Sequence, residues 1–491
     1  MHTRPELVTV SGHVLPAPSL WYKNMRHGDK RINPQGGKWN MKQIRFSRFT
    51  RLRSWCWLYI DHKNARKPWR DQNGLINSLK RFADKLNEMG VATPPPVCGN
   101  RIELNGHNDE EAIDRAIHKL MAKRPKLIFT ITADDDSATY NAIKKVCDVR
   151  RGVLNVTNVV ASKLAGGNEQ YFANVALKFN LKLGGLNQSL KPNDLGIIAE
   201  GKTMIVGIDV THPSPGSSNS APSVAGIVAS IDPSLGQWSG DVRIQGSRVA
   251  MVTELDDIFE DRLHTWAKYN LGNFPENIIV YRDGVSEGQY ELVIDNELQL
   301  MKKACHSVYP PKMTERGFPR MSVIIVGKGH HTRFYPTSQR DADKSNNTRN
   351  GTVVDRGVTQ SRNWEFYLQA HTALKGTVRP AHYYIVFDEI FRYRYQTPRP
   401  PFRNAADVLE SLTHNICYLF GRATKPVSVC PPAYYADLVR ERARCYLSSV
   451  FDPTPEATPS GSLASGATGG KVAENSDVRI HENVKDSMFY I

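Results

Sequence analysis

Apolar residues at steps of three and four mark the helices of this chain, and short unbroken apolar runs mark strands buried on both faces. Leu75, Leu79, Phe82 and Leu86 recur at helical spacing and predict a helix over 72–89, stopped by Gly90. A second helix is predicted over 110–122, beyond the turn at Pro94, Pro95 and Pro96. The runs at 53–60 (RSWCWLYI), 126–132 (KLIFTIT) and 152–160 read as strands, with a helix over 138–147 between the last two. Strands alternating with helices indicate a βαβ unit and a parallel sheet. The pattern places an α/β domain at 46–195. Beyond it, strands are predicted at 203–209, 223–231, 276–283, 321–327 and 381–387. Helices are predicted near 251–270, 287–307, 405–420 and 433–447, and together these define a second domain, 196–491.

The remaining stretches lack such periods. Residues 1–45 are polar, basic and rich in turn formers, so a linker leading into the first domain is expected there. Residues 392–403 form a basic, Pro-containing insertion. Residues 452–474 are rich in Pro, Thr, Ser, Gly and Ala, the composition of a disordered insertion. No internal repeat is found.

One buried strand ends unusually. In TMIVGIDVTHP (203–213) the apolar run closes on Asp209, and carboxylates are rarely buried unless paired or bound to a metal. The bland reading is an Asp that caps the next turn. A second predicted strand ends in Asp283, and Asp437 lies in the amphipathic segment PAYYADLVRERARCYL. Two strand-end acids and one on a later helix can converge at one sheet edge. Clustered carboxylates repel one another unless a divalent cation neutralises them, and oxygen ligands suit magnesium or manganese. Two such ions about 4 Å apart would activate water for phosphodiester hydrolysis. The competing reading is three unrelated surface or capping acids.

Charge narrows the class of partner. Lys and Arg number 64 against 49 Asp and Glu, a formal charge of +15, which suggests a polyanionic partner drawn in by counterion release. A generally basic protein would show the same excess. Seven scattered cysteines with no C-x-x-C pair argue for a reducing compartment and against a disulfide framework or zinc site. No run is long enough to cross a membrane. A cytoplasmic or nuclear protein with no membrane partner is therefore expected.

In this order, GIDVTHP, VYRDGVSEGQ, GKGHHTR and PPAYYADLV resemble the PIWI domain of eukaryotic Argonaute proteins. Upstream, TYNAIKK and ANVALKFNLKLGGLNQ resemble the MID domain of the same family. The likeness covers about residues 8–450 and resumes at the terminal DSMFYI; FDEIF and the 392–403 insertion look most like the fungal branch. It implies a Rossmann-like MID domain followed by a ribonuclease-H-like PIWI domain. It begins just before the MID domain, so the family's N-terminal and PAZ domains are expected to be absent, by nature or by truncation.

The resemblance also assigns residues. Asp209, Asp283 and Asp437 match the first, third and fourth members of the family's slicing tetrad and would be its metal ligands. The second member, a glutamate of Arg-x-Glu, falls on Ala250 in Arg248-Val249-Ala250, with Glu254 one helical turn further on. Such a displacement, about 6 Å along a helix, is large for catalytic geometry. For the 5′ end of a guide RNA, Tyr140 would stack on the first base. Lys144 and Lys178 would grip its phosphate, with Lys182 in support and Arg422 and Arg442 near the first phosphates. Arg442 is offset from Asp437 by about 140° around a helix, so one helix would serve both sites. The family's usual pocket glutamine is replaced by Val156 or Thr157. The acidic turn 134–136 lies where the first base is screened, or simply caps a helix with Ser137. Lys328, His330, His331 and Arg333 match a motif along the guide backbone; the His pair would otherwise suit zinc, but a third ligand at suitable spacing is missing.

The expected function is therefore binding of a 5′-phosphorylated small guide RNA and recognition of a complementary target RNA, with recruitment of silencing-complex proteins and without cleavage. The alternative is a magnesium-dependent endoribonuclease. A guide-free nuclease of the same fold is disfavoured by the MID motifs.

Overall fold

A computed structural model describes residues 6–63, 65, 67–104, 109–213, 221–451 and 473–491. The expected disordered insertion at 452–474 lies outside them except for its last two residues.

Four parallel strands form the first sheet, in the order Cys98–Leu104, Trp55–His62, Leu127–Thr132, Leu154–Val160. Helices Gln72–Glu88 and Glu169–Lys182 pack on one face, around Phe82, Phe129 and Phe179. On the other face, Glu110–Met121 and Ser137–Lys145 cover Leu58, Ile60 and Ile128. This is the doubly wound arrangement that the alternating pattern dictates, with both faces buried. Asp136 starts the Ser137–Lys145 helix by accepting from the backbone N–H of Thr139 at 2.7 Å, so this member of the acidic turn is a helix cap.

The second sheet has nine strands, in the order His13–Val14, Thr352–Val354, Glu365–Gln369, Ala381–Asp388, Arg320–Gly327, Asn277–Arg282, Thr203–Thr211, Ser223–Ser230, Trp238–Gln245. The Asn277–Arg282 strand runs parallel to both its neighbours, and antiparallel strands flank this trio. Strand parity assigns side chains to faces. Met204, Val206, Ile208, Ile278 and Val280 join the core beneath helices Leu255–Tyr269 and Leu298–Val308. Ile205, Ile279 and Tyr281 face the opposite side, under helices Ala405–Ile416 and Pro431–Tyr446. Asp209 and Asp283 continue this second parity, so the acids project towards the Asp437 helix.

Several details depart from expectation. The helix predicted near 251–270 begins only at Leu255, and residues 246–254 form a loop in which Arg248 (φ 62°) and Glu254 (φ 55°) are left-handed. The segment expected as a linker carries a hairpin, Leu20–Lys23 with Asp29–Ile32, and lends His13–Val14 to the edge of the large sheet. Buried amides tie the two sheets together. Asn187 donates to the carbonyls of Leu177 (3.1 Å) and Gly421 (2.7 Å), and Gln237 to those of Leu181 (3.0 Å) and Gly185 (2.7 Å).

Candidate nucleic-acid interface

Five cations gather where helices Ser137–Lys145, Glu169–Lys182 and Pro431–Tyr446 meet. Lys144 is 2% exposed and donates through Nζ to Asn155, at 2.8 Å to Oδ1 and 3.3 Å to the carbonyl oxygen. Its Nζ stands 5.6 Å from the centre of the Tyr140 ring. Lys182, equally buried, donates to the carbonyls of Met488 (3.5 Å) and Phe489. Arg442 donates to Asp148 (2.8 Å), to the Tyr140 hydroxyl (3.2 Å) and to the carbonyls of Phe489 and Tyr490 (3.0 Å each). Lys178 and Arg422 are half-buried at the same junction.

Their ionisation shows how crowded the charges are. Burial, with the nearby Arg442 charge, pushes the Lys144 ammonium down to about 7. Burial followed by the charges of Arg422 and Arg442 pushes Lys178 down to about 8. Lys182 is lowered by burial and then by Lys144 and Arg442. Arg442 has an acid partner in Asp148; among the described residues, none of the other four cations forms an ion pair with an acid. Concentrated positive charge with this little compensation is what an anion such as a terminal phosphate would complete.

Around Lys144, the residues the sequence did not single out are as telling. Asn155 is 1% exposed and donates to the Ile128 carbonyl (3.0 Å) and the Thr130 hydroxyl (2.7 Å), while its Oδ1 accepts from both Lys144 and Thr157. Val156, on the other parity of the strand, is core. Asp148 also accepts from the Tyr446 hydroxyl at 2.9 Å. Sequence spacing held no signal for Asp148 or Asn155, because each is polar within an otherwise ordinary helix or strand.

The carboxylates lie at the carboxyl ends of the parallel strands. The register that sets Ile208 beside Arg282 puts Asp209 next to Asp283. Burial, then the Asp209 charge, pushes the Asp283 carboxyl up to about 7, and burial brings Asp437 to about 6. A cation is already present: the Arg440 Nε donates to Asp209 Oδ2, and its Nη2 pairs with Asp437 Oδ1. Among the described residues, no three His, Cys, Asp or Glu side chains are grouped so as to hold a metal ion.

On the opposite face of the strands, Arg282 and Glu297 form a fully buried pair, Nε to Oε2 and Nη2 to Oε1 both at 2.8 Å. The same guanidinium donates to the Ala250 carbonyl at 2.7 Å, and Glu297 accepts from the Val252 N–H at 2.9 Å. The loop around Ala250 is therefore fastened by its backbone. Glu254 lines a separate cavity with Asp241, Arg243, Asp261, Arg262 and Arg479.

Lys328 follows the neighbouring strand close enough for the Asp283 charge to act on it, although burial and Arg379 together lower its pKa. His330 bonds through Nε2 to the Pro380 carbonyl at 3.1 Å, His331 is exposed, and Arg333 folds back on the Thr332 carbonyl at 2.7 Å. Lys328 thus lies near Asp283 at the start of this loop, while Lys144, Lys178, Lys182, Arg422 and Arg442 form a separate cluster. Asp437 and Arg442 belong to the same helix, one at each site.

A family model for the Piwi domain matches residues 127–448. Protein argonaute MEL1 of Oryza sativa subsp. japonica is 35% identical, over 99% of this chain and 46% of its own length. The chain spans about half the length of the curated relatives it matches. Among solved structures, the C-terminal lobe of a budding yeast Argonaute superimposes with a TM-score of 0.81 at 27% identity, covering 98% of this chain and 95% of that one. Kluyveromyces polysporus Argonaute with a guide RNA gives 0.81 at 26% identity, over 98% and 53% of the respective chains. The N. crassa QDE-2 MID–PIWI domains give 0.63 at 31% identity, over 91% and 100%. Sheet topology, motif order and these likenesses agree: the chain belongs to the Argonaute family, with a Rossmann-like MID part and a ribonuclease-H-like PIWI part.

Proposed function

We propose that this protein binds a small guide RNA by its 5′ phosphate, recognises target RNA by base pairing, and acts in RNA silencing without cutting the target. The observation that carries this reading is the pocket of Lys144, Lys178, Lys182, Arg422 and Arg442 around Tyr140. Tyr140 would stack on the first base, an interaction worth about 1–3 kcal/mol. Lys328, His330, His331 and Arg333 would follow the guide backbone, and silencing-complex proteins would be recruited by the loaded chain. The likeness to an Argonaute solved with a guide RNA supports the same ligand class.

Titration of 5′-phosphorylated against 5′-hydroxyl RNA tests the pocket. The wild type is expected to prefer the phosphate, and Lys144→Ala plus Lys178→Ala to lose about 10²-fold or more of that preference, two charged hydrogen bonds' worth. Unchanged binding by the double variant would defeat the assignment. A phosphate dianion favours the ammonium forms of Lys144 and Lys178, which sit at about 7 and 8 in the free protein. Binding therefore takes up protons, and affinity falls as pH rises from 7 to 9.

A magnesium- or manganese-dependent endoribonuclease is the second reading, favoured by Asp209 and Asp283 standing side by side at the strand ends. The residues present do not fit the metal: Ala250 supplies no carboxylate, and Arg440 holds oxygens of Asp209 and Asp437. Guide-loaded protein with a matched labelled RNA is expected to give no product, with magnesium or with EDTA. Magnesium-dependent product that Asp283→Ala abolishes would establish the nuclease instead.

A further inference from the structure

Helix Pro431–Tyr446 is seated directly on the sheet. Gly226 lies opposite Asp209 in the antiparallel register, and a Cβ there would meet the Ala436 carbonyl oxygen at 2.4 Å and the Arg440 Cβ at 3.1 Å. At Gly207 a Cβ would meet the Pro432 carbonyl oxygen at 1.9 Å. Only glycine leaves room for the helix to lie this close. Arg440, one turn beyond Asp437, is thereby brought over the end of the Asp209 strand.

Its guanidinium then spans two elements. Nε donates to Asp209 on the sheet and Nη2 pairs with Asp437 on the helix. A guanidinium is planar, permanently charged and rich in fixed donors, so it can tie two carboxylates together as a point-like ammonium cannot. The oxygens it takes are those a hard divalent ion would need as ligands. With alanine at position 250 the cluster has three carboxylates, and the Arg440 guanidinium occupies an oxygen of two of them.

We propose that Arg440 is a resident cation that stands in the place of a divalent ion, so that the carboxylate cluster of this chain is closed to magnesium and manganese. Bridged in this way, Asp209 and Asp437 keep their positions at the sheet edge without a metal, and the edge presents less negative charge to a neighbouring phosphate backbone. The proposal rests on side-chain geometry and does not require guide binding; its test contains no RNA, so the two readings can fail separately.

Manganese is the probe. Its binding to the whole chain is followed by the loss of the free-ion electron paramagnetic resonance signal, together with thermal unfolding with and without the ion. Wild type is expected to show no Asp209-dependent manganese binding up to millimolar concentration and no metal-dependent shift of its unfolding midpoint. Arg440→Ala is expected to bind manganese at least tenfold more tightly, and Arg440→Ala combined with Asp209→Asn to lose that gain. Arg440→Gln, which keeps most of the side-chain volume, serves if the alanine variant does not fold. Asp209-dependent binding in wild type that matches Arg440→Ala, or folded Arg440 variants that gain no binding, would overturn the proposal.

Discussion

Replacing Glu297 by alanine is expected to lower folding stability by about 3–5 kcal/mol, the usual cost of removing one partner of a buried ion pair. The Arg282 and Glu297 side chains are 0% and 1% exposed, so the guanidinium left behind has no water to turn to. The loss extends to the backbone, because Glu297 also accepts from Val252, and Arg282 also holds the Ala250 carbonyl. Urea denaturation reads the total. Hydrogen exchange at Val252 reads the local part and should speed up with the same substitution. Replacing both partners by apolar residues of similar volume, Arg282→Met with Glu297→Leu, is expected to recover most of the stability. A single substitution costing less than about 1 kcal/mol, the level of an exposed pair, would show that the pair is hydrated in solution.

Arg442→Ala is the second large effect, and it acts on stability and binding together. Among the described residues it leaves buried Asp148 with Tyr446 as its remaining side-chain hydrogen-bond partner, and it takes one donor from each of the carbonyls of Phe489 and Tyr490. About 3–5 kcal/mol is again expected in denaturant titration, with a loss of about 10–100-fold in affinity for a 5′-phosphorylated RNA. Adding Asp148→Asn removes the orphaned charge. The double variant should regain much of the stability while its RNA affinity stays low. Recovery of both would mean that Arg442 serves only to hold the fold.

What was legible in the sequence follows a physical pattern. Strands buried on both faces, such as Thr203–Thr211 and Leu127–Thr132, are short continuous apolar runs and were anticipated to within two residues. Trp238–Gln245 (WSGDVRIQ) was missed because its alternation is diluted by Gly240 and by polar residues that the ends of other elements bury. His13–Val14 was hidden because it is held by pairing to a distant strand rather than by an apolar face of its own, and Leu20–Lys23, which buries Leu20 and Tyr22, is too short a run to stand out. The acids were visible as carboxylates in the wrong place, at the ends of apolar runs. Arg440 was not visible. Within RERAR it resembles the solvated face of a helix, and only the glycines beneath that helix turn it towards Asp209. Arg282 was passed over for the same reason, since a charged residue next to Asp283 reads as exposed until strand parity points it into the opposite core.

The pocket's partners come from opposite ends of the sequence. Lys182 reaches the carbonyl of Phe489 across 307 positions, and Arg442 links that carbonyl to Asp148. Contacts of such separation form late, after the loop between them has closed, and a chain leaving the ribosome folds its earlier part first. A nascent chain that has emerged only as far as residue 480 would already display Lys144, Lys178 and Lys182, but without the carbonyls that steady Lys182 and Arg442. Under the proposed function, guide loading would wait for the arrival of residues 488–490, because a partly synthesised chain would hold the lysines without those carbonyls.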